Sequence, residues 1–293
     1  LALVLGSCSS GKNESEKTEP TEPALEITET AKTHVGGCIL ASPAAEAPAD
    51  LYQESDIVST DEYKPFTKKL SVYGITLIGR DDISDDFMRK VAKTIKEMFP
   101  QNESIDIELQ KEVLRNMYRY RTVIPLFRDE EFEFSPEDQQ AWDLTTNQNS
   151  ICDIIMEGVP GQVNEVVEHI LHWVSDVGLH YTFPAEWGCT SKTSKIYHAM
   201  QEAIDKKHYN IGQYGENGND EERTRVLIQE YAYWIIFTAW DLYEPYGPEA
   251  EWTGIKNPSD MMEKLPLSYE LFEQTIPKVM APPSRTTLEE FLK

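Results

Sequence analysis

The run Glu165-Val-Val-Glu168-His169-Ile-Leu-His172-Trp-Val-Ser-Asp176-Val-Gly178-Leu-His180 holds three of the chain's six histidines together with three carboxylates. At about 100° per residue, Val163, Val166, Val167, Ile170, Leu171, Trp173, Val174 and Val177 cover one side of a helix. Glu165, Glu168, His169, His172, Ser175 and Asp176 cover the other. The pattern predicts an amphipathic helix from Gln162 to Val177, with Gly178 as the residue that closes it. Its polar stripe has two readings. It is a solvated face whose Glu165/His169 and Glu168/His172 pairs are ordinary i,i+4 neighbours, or it lines a cleft and offers imidazole and carboxylate ligands to a metal.

Upstream of this helix the chain reads as strands mixed with helices. Leu70–Ile78 is rich in β-branched residues and predicts a strand. Ser84 is a good helix N-cap, and the predicted helix runs through Phe87, Val91, Ile95 and Met98 to Phe99, where Pro100 ends it. The stretch Arg115 to Phe127 contains a predicted second strand, which Pro125 places at an edge or a strand end. Residues 128–150 are polar and acidic and read as a loop. Ile151–Met156 is a short strand or helical turn. Downstream, helices are expected over Ser191–Lys207 and Glu221–Tyr243, followed by a Pro-rich tail of short helices. The expected fold class is α+β: a small N-terminal sheet, then a mostly helical part.

A lone His-x-x-His is a weak metal signal, and a further ligand from another helix would strengthen it. Glu230 is the candidate, because its helical neighbours Val226, Tyr233, Trp234 and Phe237 make its face apolar. A carboxylate on such a face is costly to bury unless a metal, a histidine, an arginine or a hydrogen-bond donor partners it. Gly-x-Ser-x-Gly, phosphate-loop and dinucleotide fingerprints are absent from the sequence.

The order of strand, edge strand, histidine-bearing helix and later Glu230-Tyr-Ala-Tyr helix resembles zincin metallopeptidases over residues 70–245. It most resembles the lethal-factor-like and Pro-Pro endopeptidase branch. The resemblance implies a zincin-like domain, Zn²⁺ as cofactor, a peptide or protein substrate, and a third metal ligand, Glu230, on the later helix. The chain departs from the family motif His-Glu-x-x-His: it has Glu168-His169-Ile-Leu-His172, with the first two letters exchanged. Two arrangements follow. In one, His169, His172 and Glu230 bind the metal and Glu168 or Glu165 is the catalytic base. In the other, Glu168, His172 and Glu230 bind it and His169 carries the proton. A zincin-shaped protein without the chemistry is the third outcome.

The N-terminus has its own resemblance. Leu5-Gly6-Ser7-Cys8 is similar to the lipobox of bacterial lipoproteins, which implies a signal-peptide remnant over 1–7 and lipidation at Cys8. Ser9 after the cysteine implies outer-membrane sorting, hence a location in the cell envelope. Residues 9–33 are polar and Pro/Glu-rich and predict a flexible tether. The expected division is a tether over 8–50 and a single domain over 51–293, with His34–Leu40 a short strand or a clip onto the domain. Among Cys38, Cys152 and Cys189 a disulfide is allowed outside the cytoplasm, and the sequence leaves the pair open.

The whole chain has 293 residues, 40% hydrophobic and 27% charged, consistent with a folded core. Its 27 basic and 51 acidic residues give a formal charge of −24. Nucleic acid is thereby disfavoured as a partner, since phosphate binding needs a basic surface. The rival to the metal-dependent reading is a non-enzymatic envelope lipoprotein that binds a protein or glycan.

Overall fold

A computed structural model describes residues 33–128, 132–214, 218–248 and 252–293. Two short strands, β1 (His34–Val35) and β2 (Ile39–Leu40), form a hairpin. β3 (Val58–Ser59), β4 (Lys68–Val72), β5 (Ile75–Gly79), α1 (Asp85–Met98), α2 (Ile107–Arg119), β6 (Val123–Arg128), α3 (Pro136–Gln148) and β7 (Ile155–Glu157) follow. From there the chain is helical. It runs through α4 (Gln162–Trp173), a π-helical segment over Val174–Leu179, α5 (His180–Thr182), α6 (Pro184–Trp187), α7 (Lys195–Asp205) and α8 (Asp220–Ala239). It closes with α9 (Tyr243–Tyr246), α10 (Pro258–Lys264), α11 (Pro266–Val279) and α12 (Arg285–Glu289). The architecture is the expected α+β order, a small N-terminal sheet and a mostly helical C-terminal part.

β3, β4 and β5 pair antiparallel, and β5, β6 and β7 pair parallel, in the spatial order β3-β4-β5-β6-β7. Leu70, Val72, Ile75, Leu77, Ile124, Leu126 and Ile155 face the large core built with α1, α2, α4 and α8. Ile78, Val123 and Phe127 face a smaller cluster with Phe66, Phe134 and Trp142 on the opposite side. The two-residue period of a strand produces this division.

Several expectations change. The single strand over Leu70–Ile78 is a hairpin, because Tyr73 (φ 49°) and Gly74 (φ 84°) turn the chain tightly. The second strand expected within Arg115–Phe127 is β6, which starts at Val123; the residues before it, up to Arg119, end helix α2. Pro125 is not on an edge strand: β6 lies between β5 and β7. Val123 donates its N–H to Ser150 on the β7 side. Pro125 has the same parity, so its missing N–H also faces that side, where the ladder begins one residue later at Leu126. The expected loop over 128–150 contains α3, started by Ser135 as N-cap with Pro136 in the first turn.

The C-terminal part of the expected tether is joined to the domain. Cys38 forms a disulfide with Cys152, and Cys189 is left as a buried thiol. Ile39 is fully buried, Leu40 N–H donates to Ser150 Oγ at 3.0 Å, and Tyr181 donates to the Leu40 carbonyl at 2.6 Å. His34–Leu40 is therefore a clip. The signal-peptide remnant and Cys8 lie outside the described residues. Among the described residues no helix is long and apolar enough to cross a membrane.

Gly178 does not close the central helix. It sits inside the π-helical segment, which continues into α5. A Cβ at Gly178 would lie 2.8 Å from Val113 Cγ1 and 3.1 Å from Met117 Cγ. The glycine is required by the close approach of this segment to α2, not by a turn. α8 crosses the core beside α4, and every residue from Tyr231 to Thr238 is buried. A helix that is apolar all round belongs at such a centre.

Gly178→Ala is expected to destabilise the protein by about 1–3 kcal/mol through overpacking against α2. Urea denaturation measures this, and an unchanged midpoint would show that the contact yields freely.

Candidate metal centre

The sequence folds three segments onto one point. α4 presents Glu165, Glu168, His169 and His172 from successive turns. The chain entering β7 supplies Asp153, one residue after the disulfide at Cys152. α8 supplies Gln229 and Glu230. The stripe is not a solvated face: His172 is 1% exposed, Ser175 2% and Asp176 0%.

His172 is the centre of the arrangement. Its Nδ1 lies 2.7 Å from Asp153 Oδ2, and its Nε2 lies 3.4 Å from Glu230 Oε2. The second contact has the distance of an ion pair without hydrogen-bond geometry, so Nε2 is a buried nitrogen lacking a hydrogen-bond partner. His169 stands on the opposite side, with Nδ1 2.7 Å from the Glu165 carbonyl and Nε2 3.7 Å from Asp153 Oδ2. The two imidazoles meet edge to face, 5.3 Å between centroids.

The carboxylates are held from behind. Glu168 Oε2 accepts from Asn164 Nδ2 at 2.6 Å, and Asn164 Oδ1 accepts from the Tyr233 hydroxyl. Glu165 Oε1 accepts the Met156 N–H at 2.8 Å, and Gln162 Nε2 donates to the Met156 carbonyl at 2.6 Å. These two side chains cap the outward backbone groups of Met156 on β7, an exposed edge that would otherwise pair with another chain.

Burial and charge shift the ionisations strongly. Burial opposes ionisation of Asp153, but the His169 and His172 charges outweigh it and hold the carboxyl at about 2. Burial likewise opposes the His169 charge, yet Asp153 and Glu165 raise it to about 9. His172 is raised well above its ordinary value against burial, first by Glu230 and then by Asp153. Burial lifts Glu168 to about 7, with the two imidazoles partly offsetting it. Four carboxyl groups thus face two imidazoles, an acidic excess that suits a cation.

Two groups of potential ligand atoms lie within 4.8 Å of one another here: Glu168, His172 and Glu230, and Asp153, His169 and His172. The structure brings Glu168, His172 and Glu230 together, the ligand set of the second arrangement that the sequence suggested. It places His169 with Asp153 instead, so the trio His169, His172 and Glu230 is not the one gathered. His180 lies outside both groups: it accepts the Cys189 N–H at 3.1 Å, and burial lowers it to about 4. Sequence reasoning missed Asp153, Gln229 and Asn164. The signal for Asp153 was an acid inside the apolar run Ile151–Met156. No family model, no curated protein and no solved structure matches this chain.

The metal-free protein has a defined pH signature. The His169 pKa is raised on folding, so its contribution is complete below about pH 6.5 and is lost as pH rises through about 9. Glu168 is raised on folding, so its cost to the fold builds up from the ordinary carboxylate range to about 7 and is constant above that. The Asp153 contribution is present above about pH 4 and is lost only as pH falls through about 2. Urea denaturation is expected to show stability falling between neutral pH and pH 9, with Asp153→Asn less stable near neutrality and flatter in its profile.

Proposed function

We propose that this protein is a cell-envelope lipoprotein whose α+β domain binds a divalent metal of the zinc class through Glu168, His172 and Glu230. The observation that carries the reading is the buried Nε2 of His172, which makes no hydrogen bond and faces Glu230 Oε2 at 3.4 Å. Its other nitrogen is engaged by Asp153 at 2.7 Å. A carboxylate on the far side of an imidazole fixes its tautomer and raises its basicity, the usual support for a metal-binding histidine. One imidazole and two carboxylates form a donor set suited to Zn²⁺, which takes three protein ligands in catalytic sites.

The zincin-like reading draws support from the order of parts: sheet, histidine-bearing α4, then α8 with Glu230. Bound there, Zn²⁺ would supply Lewis-acid activation for hydrolysis of a peptide. The protein's own groups divide the remaining work. His169 keeps its proton to about pH 9 and is a donor, suited to a leaving amine and not to deprotonating water. A second reading has one observation in its favour. Glu168, lifted to about 7, has the affinity for a proton that a general base needs. In that case Asp153, His169 and His172 are the ligands.

Metal content after purification, with Zn²⁺ titration, separates these. Glu168→Gln, His172→Ala and Glu230→Gln are each expected to lose the metal and His169→Ala to keep it. Retention by Glu168→Gln with loss in His169→Ala favours the second reading, and no metal in the unmodified protein sinks both.

The anchor is proposed on the lipobox-like Leu5-Gly6-Ser7-Cys8. A chain of formal charge −24 is repelled by an anionic bilayer, so a covalent lipid is the means of holding it there. Cys8→Ala in the full-length precursor is expected to move the protein from the membrane to the soluble fraction, and unchanged fractionation would refute the anchor.

A further inference from the structure

Gln229 lies one residue before Glu230 on α8 and is 3% exposed. Its amide has an accepting end and a donating end. Oε1 accepts from Arg225 Nη1, which can only donate, so the orientation of the amide is fixed. Nε2 then points into the centre, 3.3 Å from Asp153 Oδ2 and 2.9 Å from His172 Nδ1. Two protonation patterns fit an amide donor beside Nδ1. If Nδ1 accepted from Gln229, the neutral ring would carry its proton on Nε2. If Nδ1–H donates to Asp153, both hydrogens converge on Oδ2, and Nε2 is the position left to a metal once its proton is displaced. The 2.7 Å contact with an ionised carboxylate, which only accepts, selects the second pattern.

Arg225 is itself held by several contacts. It is 8% exposed, its Nη1 lies 2.7 Å from the fully buried Asp176 Oδ2, and its Nε donates to the Gly36 carbonyl at 2.8 Å. A Cβ at Gly36 would fall 2.5 Å from Arg225 Cδ, so the guanidinium stem passes where only glycine admits it. The clip, Arg225, Gln229 and Asp153 thus form one continuous hydrogen-bonded chain that ends on His172.

We infer that Gln229 is a positioning residue of this centre: braced by Arg225, its amide holds Asp153 on Nδ1 of His172 and so leaves Nε2 facing the metal. The inference rests on the metal-binding reading and adds residues to it that touch neither metal nor substrate. A plain space-filling role for Gln229 predicts a different outcome in three measurements.

Gln229→Met keeps the length and removes both hydrogen-bonding ends. Zn²⁺ competition titration is expected to show a loss of affinity of about tenfold or more, as for other groups that orient a ligand from behind. In an Asp153→Asn background the same substitution is expected to cost little, because Gln229 acts through Asp153. In the metal-free protein, NMR is expected to show the His172 Nδ1–H exchanging faster with solvent in Gln229→Met than in the unmodified chain. Unchanged affinity, additive losses in the two backgrounds, or unaltered Nδ1–H exchange would each overturn the inference. If the unmodified protein binds no Zn²⁺, the metal reading fails and the Nδ1–H exchange decides the positioning role by itself.

Discussion

A histidine that is 1% exposed and holds a proton needs carboxylates against it. The Asp153–His172–Glu230 alignment meets that need, and much of the helical half is arranged around it. Asp153 comes from the chain entering β7, His172 from α4 and Glu230 from α8. Each is useless to the others unless the sheet edge, the central helix and the buried helix meet at one point. Moving a charge from water into an apolar interior costs several kcal/mol. Three elements that converge on such a charge are locked in register by the cost of leaving it alone.

The clip enters the same logic from outside. The Cys38–Cys152 disulfide fixes the backbone next to Asp153, while Gly36 receives the Arg225 guanidinium. Both ties start within three residues of each other and end at the same carboxylate, one through the backbone and one through Gln229. A short hairpin with two-residue strands has little stability of its own. Here its attachment is covalent and hydrogen-bonded at once, so it acts as a brace.

Local signals made part of this legible in the sequence. Ser84 and Pro100 bracket α1, and the polar stripe of α4 is visible because its members share one helix. Features set by distant contacts were not legible. α3 buries only Thr145 within its helix, so it carries no apolar period to betray it. The turn at Tyr73-Gly74 lacks the Asn-Gly or Asp-Gly signature of a tight hairpin. Asp153 is 19 residues from His172 and Gln229 is 57 away. No spacing rule joins them. Gly178 looked like a helix terminator because a glycine needed for close packing and one needed for a left-handed turn are the same letter.

The inward stripe is the strongest physical argument that the centre serves a purpose beyond stability. A core built for stability alone would place apolar side chains at His172, Asp176, Arg225 and Gln229, since well-packed hydrophobic groups equal or exceed buried ion pairs. This protein instead spends helix faces on charge and supports them with Asn164, Gln229 and Arg225. Those supporting side chains matter only if the orientation of a few atoms matters. Nε2 of His172 is a buried nitrogen left without a hydrogen bond, on a ring whose other nitrogen is held by Asp153. Glu230 stands 3.4 Å from it, so the missing hydrogen bond and the acidic excess fall at the same spot. A cation satisfies both at once, whereas a proton on Nε2 satisfies the charge and leaves the geometry unmet.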